Sequence, residues 1–373
     1  MKQGSVTKPA RARFSALLTI GAVILAYLAA TEIVLRFLPV ATGLHSVAVS
    51  EAQPIFHFEP NFNFIYSRDW NLAGVVRGRV NNAGWVNDQD YTRDDPRPLI
   101  AIVGDSFIEA QMVPYAETLQ GRLAAALKDK FRVYSFAASG APLSEFPVYA
   151  GYAVREFGAR AVIVVITNYD FAGSDLAFNS PAGMWLYDGA TGDKQLRLVP
   201  YDPNSLLRQL ARYSALARYL LINLRLDRAL GLANLIGAAA ATRGAQAADP
   251  APQTPRLAAA KGVIPLFFRD LSRLTGLSTE RVLFVMDGFR YPQRAAAMEG
   301  GFDDQLRHDF VAASQANSYE TVDLDPIFFA RYRADRTDFE IAGDAHWNGE
   351  GHAVAAAGVM SSRLIADLLA QSR

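Results

Sequence analysis

The 373-residue chain contains no cysteine. That absence removes structural disulfides, thiolate zinc sites and a cysteine nucleophile together. Net charge is absent as well, with 37 Lys+Arg facing 37 Asp+Glu. A general nucleic-acid binder normally carries a basic excess or a basic stripe, so nucleic acid is not an expected partner. Only 20% of the residues are charged while 51% are hydrophobic, which excludes a disordered chain and promises a sizeable core. Histidine is scarce, with five in all, so each can be weighed singly.

The zero charge is a sum of unequal parts. Residues 1–13 hold Lys2, Lys8, Arg11 and Arg13 and no acid, leaving 33 basic against 37 acidic residues in the remainder. After this +4 segment, Phe14 to Thr31 is a run of 18 residues without charge. A helix of that length spans about 27 Å, close to the hydrocarbon thickness of a bilayer. The positive-inside rule places the basic tail, 1–13, in the cytoplasm and everything beyond the span outside. A cleaved signal peptide competes with this reading. However, Leu28 is a poor −3 residue for cleavage after Ala30, and the apolar pattern continues past Glu32 through Leu38. Residues 14–38 therefore read as a retained anchor in the inner (cytoplasmic) membrane.

Residues 39–96 are rich in Asn, Asp and aromatics without clear periodicity, and read as an irregular lead-in with a short strand or two. Leu99 to Val103 is a continuous apolar run stopped by Gly104-Asp105-Ser106, as a buried parallel strand would be. A helix over 117–128, a strand over 132–136, a helix over 145–157 and a strand over 161–166 follow. Strands alternating with helices imply a parallel sheet. The rhythm lapses over about 171–262, read as a helical insertion. Within it, 170–204 look like loop, 205–236 like a helix and 237–258 like a low-complexity linker. That helix bears Arg208, Arg212, Arg218, Arg225 and Arg228 against a single Asp227. They form either a solvated face or a receiver for an anionic glycan or headgroup. Helices near 263–275 and 294–316, strands at 281–286 and 321–324, and a helix over 350–370 complete a domain running from 97 to 373.

Two places carry chemistry. Ser106 stands at the carboxyl end of the first core strand, where open α/β sheets bind their ligands. The turn after it can present N–H groups to an oxyanion, although Gly-Asp-Ser is also ordinary turn chemistry. Near the C-terminus, Gly343-Asp344-Ala345-His346-Trp347-Asn348 leads into the last helix. A serine nucleophile needs a histidine base, and the base needs a carboxylate to hold its tautomer. Among His45, His57, His308, His346 and His352, only His346 has an adjacent carboxylate on a late loop. The bland alternative is a capping segment with Asn348 as N-cap. A metal site built from Asp344, His346 and His352 lacks further ligands and a familiar spacing, so no metal or cofactor is expected. Asp105 reads as a turn-holding residue.

Together the two blocks resemble the SGNH/GDSL hydrolase superfamily. The Asp-x-His-Trp spacing and the lead-in NNAGWVNDQDY resemble its membrane-linked branch of alginate-type O-acetyltransferases. The resemblance implies a flavodoxin-like, three-layer α/β/α fold around a parallel sheet. It also implies Ser106 as nucleophile, His346 as base and Asp344 as its partner. The implied oxyanion hole takes the Ser106 N–H, the Gly140 N–H and Asn168. The family has Asn followed directly by Asp, whereas this chain reads Thr167-Asn168-Tyr169-Asp170, so either Asn168 or Tyr169 fills the slot. The expected activity is that of a membrane-anchored serine esterase acting on acyl, notably acetyl, esters of an envelope or extracellular polysaccharide. Two alternatives stand beside it: an O-acetyltransferase with the same triad working with polysaccharide machinery, and a non-catalytic glycan-binding or assembly protein of the same fold.

Overall fold

The computed structural model describes residues 8–168, 170–190, 193–204, 206–226 and 253–372. Helix α1 (Lys8–Arg36) is long and apolar enough to cross a membrane, and its most apolar stretch buries nothing against the rest of the chain. An antiparallel hairpin follows, β1 (Phe62–Arg68) and β2 (Ala73–Val80). The domain then runs β3 (Leu99–Gly104), α2 (Ser106–Glu109), α3 (Leu119–Leu127), β4 (Arg132–Ala137), α4 (Phe146–Phe157) and β5 (Ala159–Ile166).

Next come a second hairpin, β6 (Trp185–Asp188) with β7 (Gln195–Leu198), and the short helices α5 (Leu206–Tyr213) and α6 (Ala215–Arg218), continued by a π-type turn over Tyr219–Asn223. The chain finishes with α7 (Gln253–Thr275), β8 (Val282–Met286), α8 (Pro292–Met298), α9 (Phe302–Ala316), β9 (Glu320–Asp323), α10 (Asp325–Asp335), α11 (Gly349–Met360) and α12 (Arg363–Gln371).

The central sheet has the order β4-β3-β5-β8-β9, every neighbouring pair parallel. It is the flavodoxin-like order, with the chain reversing direction between β3 and β5. Every residue of β3, β4 and β8 is buried, as parallel strands covered on both faces require. One face packs Ala101, Val103, Phe136, Val164 and Phe284 under Tyr149 of α4, Phe267 of α7 and Phe310 of α9. The opposite face packs Ile100, Ile102, Ile163 and Val285 under Leu123 of α3, Phe328 of α10 and Val359 of α11. Three layers result, and each fully buried aliphatic side chain contributes roughly 1.5–3 kcal/mol.

Several elements depart from the sequence reading. The stretch 170–204 contains the β6–β7 hairpin. The insertion helix breaks at Ser214, whose hydroxyl accepts from the Ala217 N–H and so starts α6 afresh. Residues 227–252, which include Asp227, Arg228 and most of the expected linker, lie outside the described residues. The helix expected from 263 already begins at Gln253, and Ala260, Val263 and Phe267 bury it in the core. The final helix is interrupted at Ser361-Ser362, where Ser362 caps α12 through the Ile365 N–H.

Beyond the β1–β2 hairpin, the lead-in draws order from side chain–backbone bonds. Asn81 accepts from the Ala83 and Trp85 N–H groups, and Asn82 pairs through its amide with both backbone groups of Tyr91. Trp85 is thereby set edge-on to Phe136 and Tyr149 inside the core.

Candidate active site

Strand β3 ends at Gly104, and the chain turns directly into α2 with Ser106 as its first residue. Asp105 is the N-cap, its Oδ1 accepting from the Phe107 N–H at 2.9 Å. Its Oδ2 accepts from Thr167 Oγ1 at 3.3 Å, while the Thr167 N–H donates to Asp170 Oδ2 at 2.7 Å. Asp105 thus ties the serine turn to the turn that follows β5. Burial pushes both carboxyls up, Asp170 furthest because the Asp105 charge adds to it.

His346 lies on the loop between α10 and α11. Its Nε2 is 2.7 Å from Ser106 Oγ, and its Nδ1 is 2.5 Å from Asp344 Oδ1. Asp344 Oδ1 also accepts from the His346 backbone N–H at 3.1 Å, so two residues of spacing close a small ring that fixes the imidazole. Burial raises the Asp344 carboxyl, but the hydrogen bond and charge of His346 outweigh it and hold it below the usual range. Donor and acceptor are arranged as proton transfer from a serine requires.

Gly140 sits on the turn after β4 at φ +78°, with open space where a side chain would stand. Asn168 occupies the turn after β5, its Oδ1 buried without a partner. Tyr169 lies outside the described residues. His352 faces the core, where its Nδ1 accepts from the Leu119 N–H at 3.1 Å, and burial pushes it down to about 3. Among the described residues no cluster of three or more His, Asp or Glu groups is arranged to hold a metal ion.

Two residues escaped the sequence reading. Glu109, buried at the end of α2, accepts from the Ser139 N–H at 2.7 Å and the Ser139 hydroxyl at 2.6 Å. It clamps the serine helix to the loop bearing Gly140. Burial pushes Glu109 up to about 7, against the lowering effect of the Ser139 bonds. The sequence signal was an acid three residues after the serine, within an apolar stretch.

Arg290 is the other, buried just beyond β8. It pairs with Asp287 and with Glu340, the latter at 2.6 Å, and donates to the Ala345 carbonyl at 2.5 Å. Asp287 in turn accepts from Trp347 Nε1 at 3.0 Å, and Phe107 packs between the His346 and Trp347 rings. The histidine loop is thus braced on both sides of His346. By contrast, three of the insertion arginines are engaged within the chain. Arg212 pairs with Glu59 at 2.6 Å, Arg218 donates to the Arg212 carbonyl, and Arg208 to the Tyr201 hydroxyl.

No family model matches the chain, and no curated protein matches it. Among solved structures it is similar to a lipolytic protein of the G-D-S-L family from Veillonella parvula, at 9% identity and a TM-score of 0.36, over 71% of this chain and 97% of that one. A Clostridium thermocellum family 3 carbohydrate esterase aligns at 13% identity and a TM-score of 0.37, over 74% and 100% of the two chains. A two-domain esterase active on acetylated mannans aligns at 12% identity and a TM-score of 0.37, over 74% and 51%. By its own sheet order the chain has a flavodoxin-like, three-layer α/β/α fold, with Ser106, His346 and Asp344 meeting at the carboxyl edge of the parallel sheet.

Proposed function

We propose that this chain is a membrane-anchored serine esterase that removes acyl groups, acetyl first among them, from ester-bearing polysaccharide of the cell envelope or its surroundings. The observation that carries the reading is the unbroken line Ser106 Oγ–His346–Asp344, at 2.7 and 2.5 Å. Ser106 Oγ attacks the ester carbonyl while His346 Nε2 takes its proton. Asp344 keeps the Nδ1 proton in place and offsets the imidazolium charge. The oxyanion is received by the Ser106 and Gly140 N–H groups and the Asn168 amide, each such donor contributing about 3 kcal/mol. The tetrahedral intermediate collapses, His346 returns the proton to the departing alcohol oxygen, and an acyl-Ser106 remains. Water, activated by the same histidine, releases the acid. A sugar hydroxyl in place of that water makes the chain an O-acetyltransferase with the same residues.

Location supports an envelope substrate. With 1–13 cytoplasmic and 14–38 crossing the inner membrane, the 97–373 domain with its insertion at about 171–262 stands on the outer side. The test uses the full chain in detergent with p-nitrophenyl acetate and a serine-reactive phosphonate. Turnover and an adduct on Ser106 are expected, and both vanish in Ser106→Ala. Full turnover by that variant refutes the triad. Acylated glycan formed on adding an acceptor assigns transfer, whereas free acid alone assigns hydrolysis.

A further inference from the structure

The end of α1 is built into the domain. Leu35 and Val40 are buried with Ala215 of α6, and Leu72, Leu216 and Tyr219 pack against them. Glu32 accepts from the Ser214 hydroxyl and from the Ala215 and Leu216 N–H groups, capping α6 from within α1. Arg36 donates to the Tyr213 carbonyl, and the Tyr219 hydroxyl donates to the Trp70 carbonyl. The last turn of α1, the α5–α6 junction and the tip of the β1–β2 hairpin are therefore one cluster.

That cluster carries an exposed aromatic ring at each of its three parts. Phe37 is 85% exposed, Trp70 75% and Tyr213 78%. Trp70 is held out by a hairpin turn in which Asp69 and Leu72 both take positive φ, so its exposure is built into the backbone. Large aromatics left bare together mark a surface made for contact, and aromatic rings are enriched where a membrane meets water. Phe37 stands six residues past the uncharged run that ends at Thr31, and Arg36 and Tyr219 tie the Tyr213 and Trp70 carbonyls to that end of α1.

We infer that Phe37, Trp70 and Tyr213 form a second membrane contact, which seats the domain on the bilayer surface beside α1. This rests on reading α1 as a retained anchor. The same hairpin reaches the catalytic loop, because Arg68 at the end of β1 donates to the Ala342 carbonyl at 2.6 Å. A single residue, Asp69, separates Arg68 from Trp70 in the turn. The loop that carries Asp344 and His346 is accordingly tied to the membrane seat, and the triad works close above the lipid headgroups.

The four tryptophans make the test specific. α1 contains none, Trp85 and Trp347 are each 1% exposed, and the Trp185 indole is bonded to the Pro54 carbonyl. The full chain is reconstituted in vesicles of phosphatidylethanolamine and phosphatidylglycerol, with or without acyl chains brominated near the headgroup. Retention through an alkaline wash reports the anchor, and tryptophan quenching reports the seat. We expect quenching in the wild type and its loss in Trp70→Phe. A chain that survives the wash without quenching, or whose Trp70→Phe variant quenches as fully as wild type, overturns the seat alone. A chain stripped by the wash overturns the anchor and the inference with it.

Discussion

Replacing Glu109 by Gln changes one atom of a clamp that touches no substrate. Above about pH 7, where Glu109 is ionised, the wild-type carboxylate accepts from the Ser139 N–H at 2.7 Å, the Ser139 hydroxyl at 2.6 Å and Gln111 Nε2 at 3.1 Å. Gln offers one acceptor oxygen and turns an NH₂ toward a donor. Hydrogen bonds to a charged acceptor contribute about 1.5–3 kcal/mol each and neutral ones about 1, so the clamp loses roughly 2–4 kcal/mol. The Ser139-Gly140 loop is then free to shift. A misplaced Gly140 N–H costs up to about 3 kcal/mol in the transition state, or roughly 100-fold.

We expect Glu109→Gln, assayed above pH 7, to lower kcat on p-nitrophenyl acetate by about 10- to 100-fold, with KM little changed because the loop acts on the oxyanion. A second signature comes from pH. Folded Glu109 holds its proton up to about 7 against a reference of 4.5, so between those values the folded state binds more protons than the unfolded one. The Glu109 contribution to stability is therefore full below pH 4.5 and falls as pH rises to 7, by about 3 kcal/mol in total. Urea titrations across that window should show a shallower decline in Glu109→Gln. Wild-type kcat together with an unaltered pH slope would refute the clamp.

Three further substitutions probe the rest of the site. Asp344→Asn should lower kcat by about three to four orders of magnitude by freeing the wrong imidazole tautomer, and a steady-state rate within tenfold of wild type would contradict it. Arg290→Met leaves the buried Asp287 without its cation, while Glu340 keeps Arg294, and should cost about 3–5 kcal/mol in urea denaturation; a loss below about 1 kcal/mol would dismiss the brace. Asn168→Ala should cost about 100-fold in kcat if its amide meets the oxyanion, and an unchanged rate would leave Tyr169 as the occupant of that slot.

The parallel sheet was legible because Leu99–Val103 and Ala161–Ile166 are apolar runs of strand length ending in turn residues. Ser106, Asp344 and His346 were legible as residue types on loops, although only the fold sets 240 residues of separation to a 2.7 Å contact. What the sequence hid is what acts over long range. Arg290 reads as a surface arginine until Asp287 and Glu340 are seen on either side of it. After the β1–β2 hairpin the lead-in looked formless because its order there comes from Asn81 and Asn82 bonding to backbone, a pattern without a period. The broken insertion helix was missed since nothing local shows that Ser214 meets Glu32, 182 residues earlier.

The passage from α1 into the domain leaves almost no spare chain. Helix α1 ends at Arg36, Val40 is already in a core, and the Thr42 N–H bonds to the Ile65 carbonyl of β1. A catalytic unit on a long leash explores a hemisphere; this one has nothing to swing on. If α1 stays in the bilayer, the serine is carried at one height and sweeps a plane, so its encounters with the polysaccharide proposed as substrate would follow lateral diffusion in the membrane and the thickness of the layer within reach. Lengthening that junction would change which strands of the polymer are met without altering a single catalytic atom.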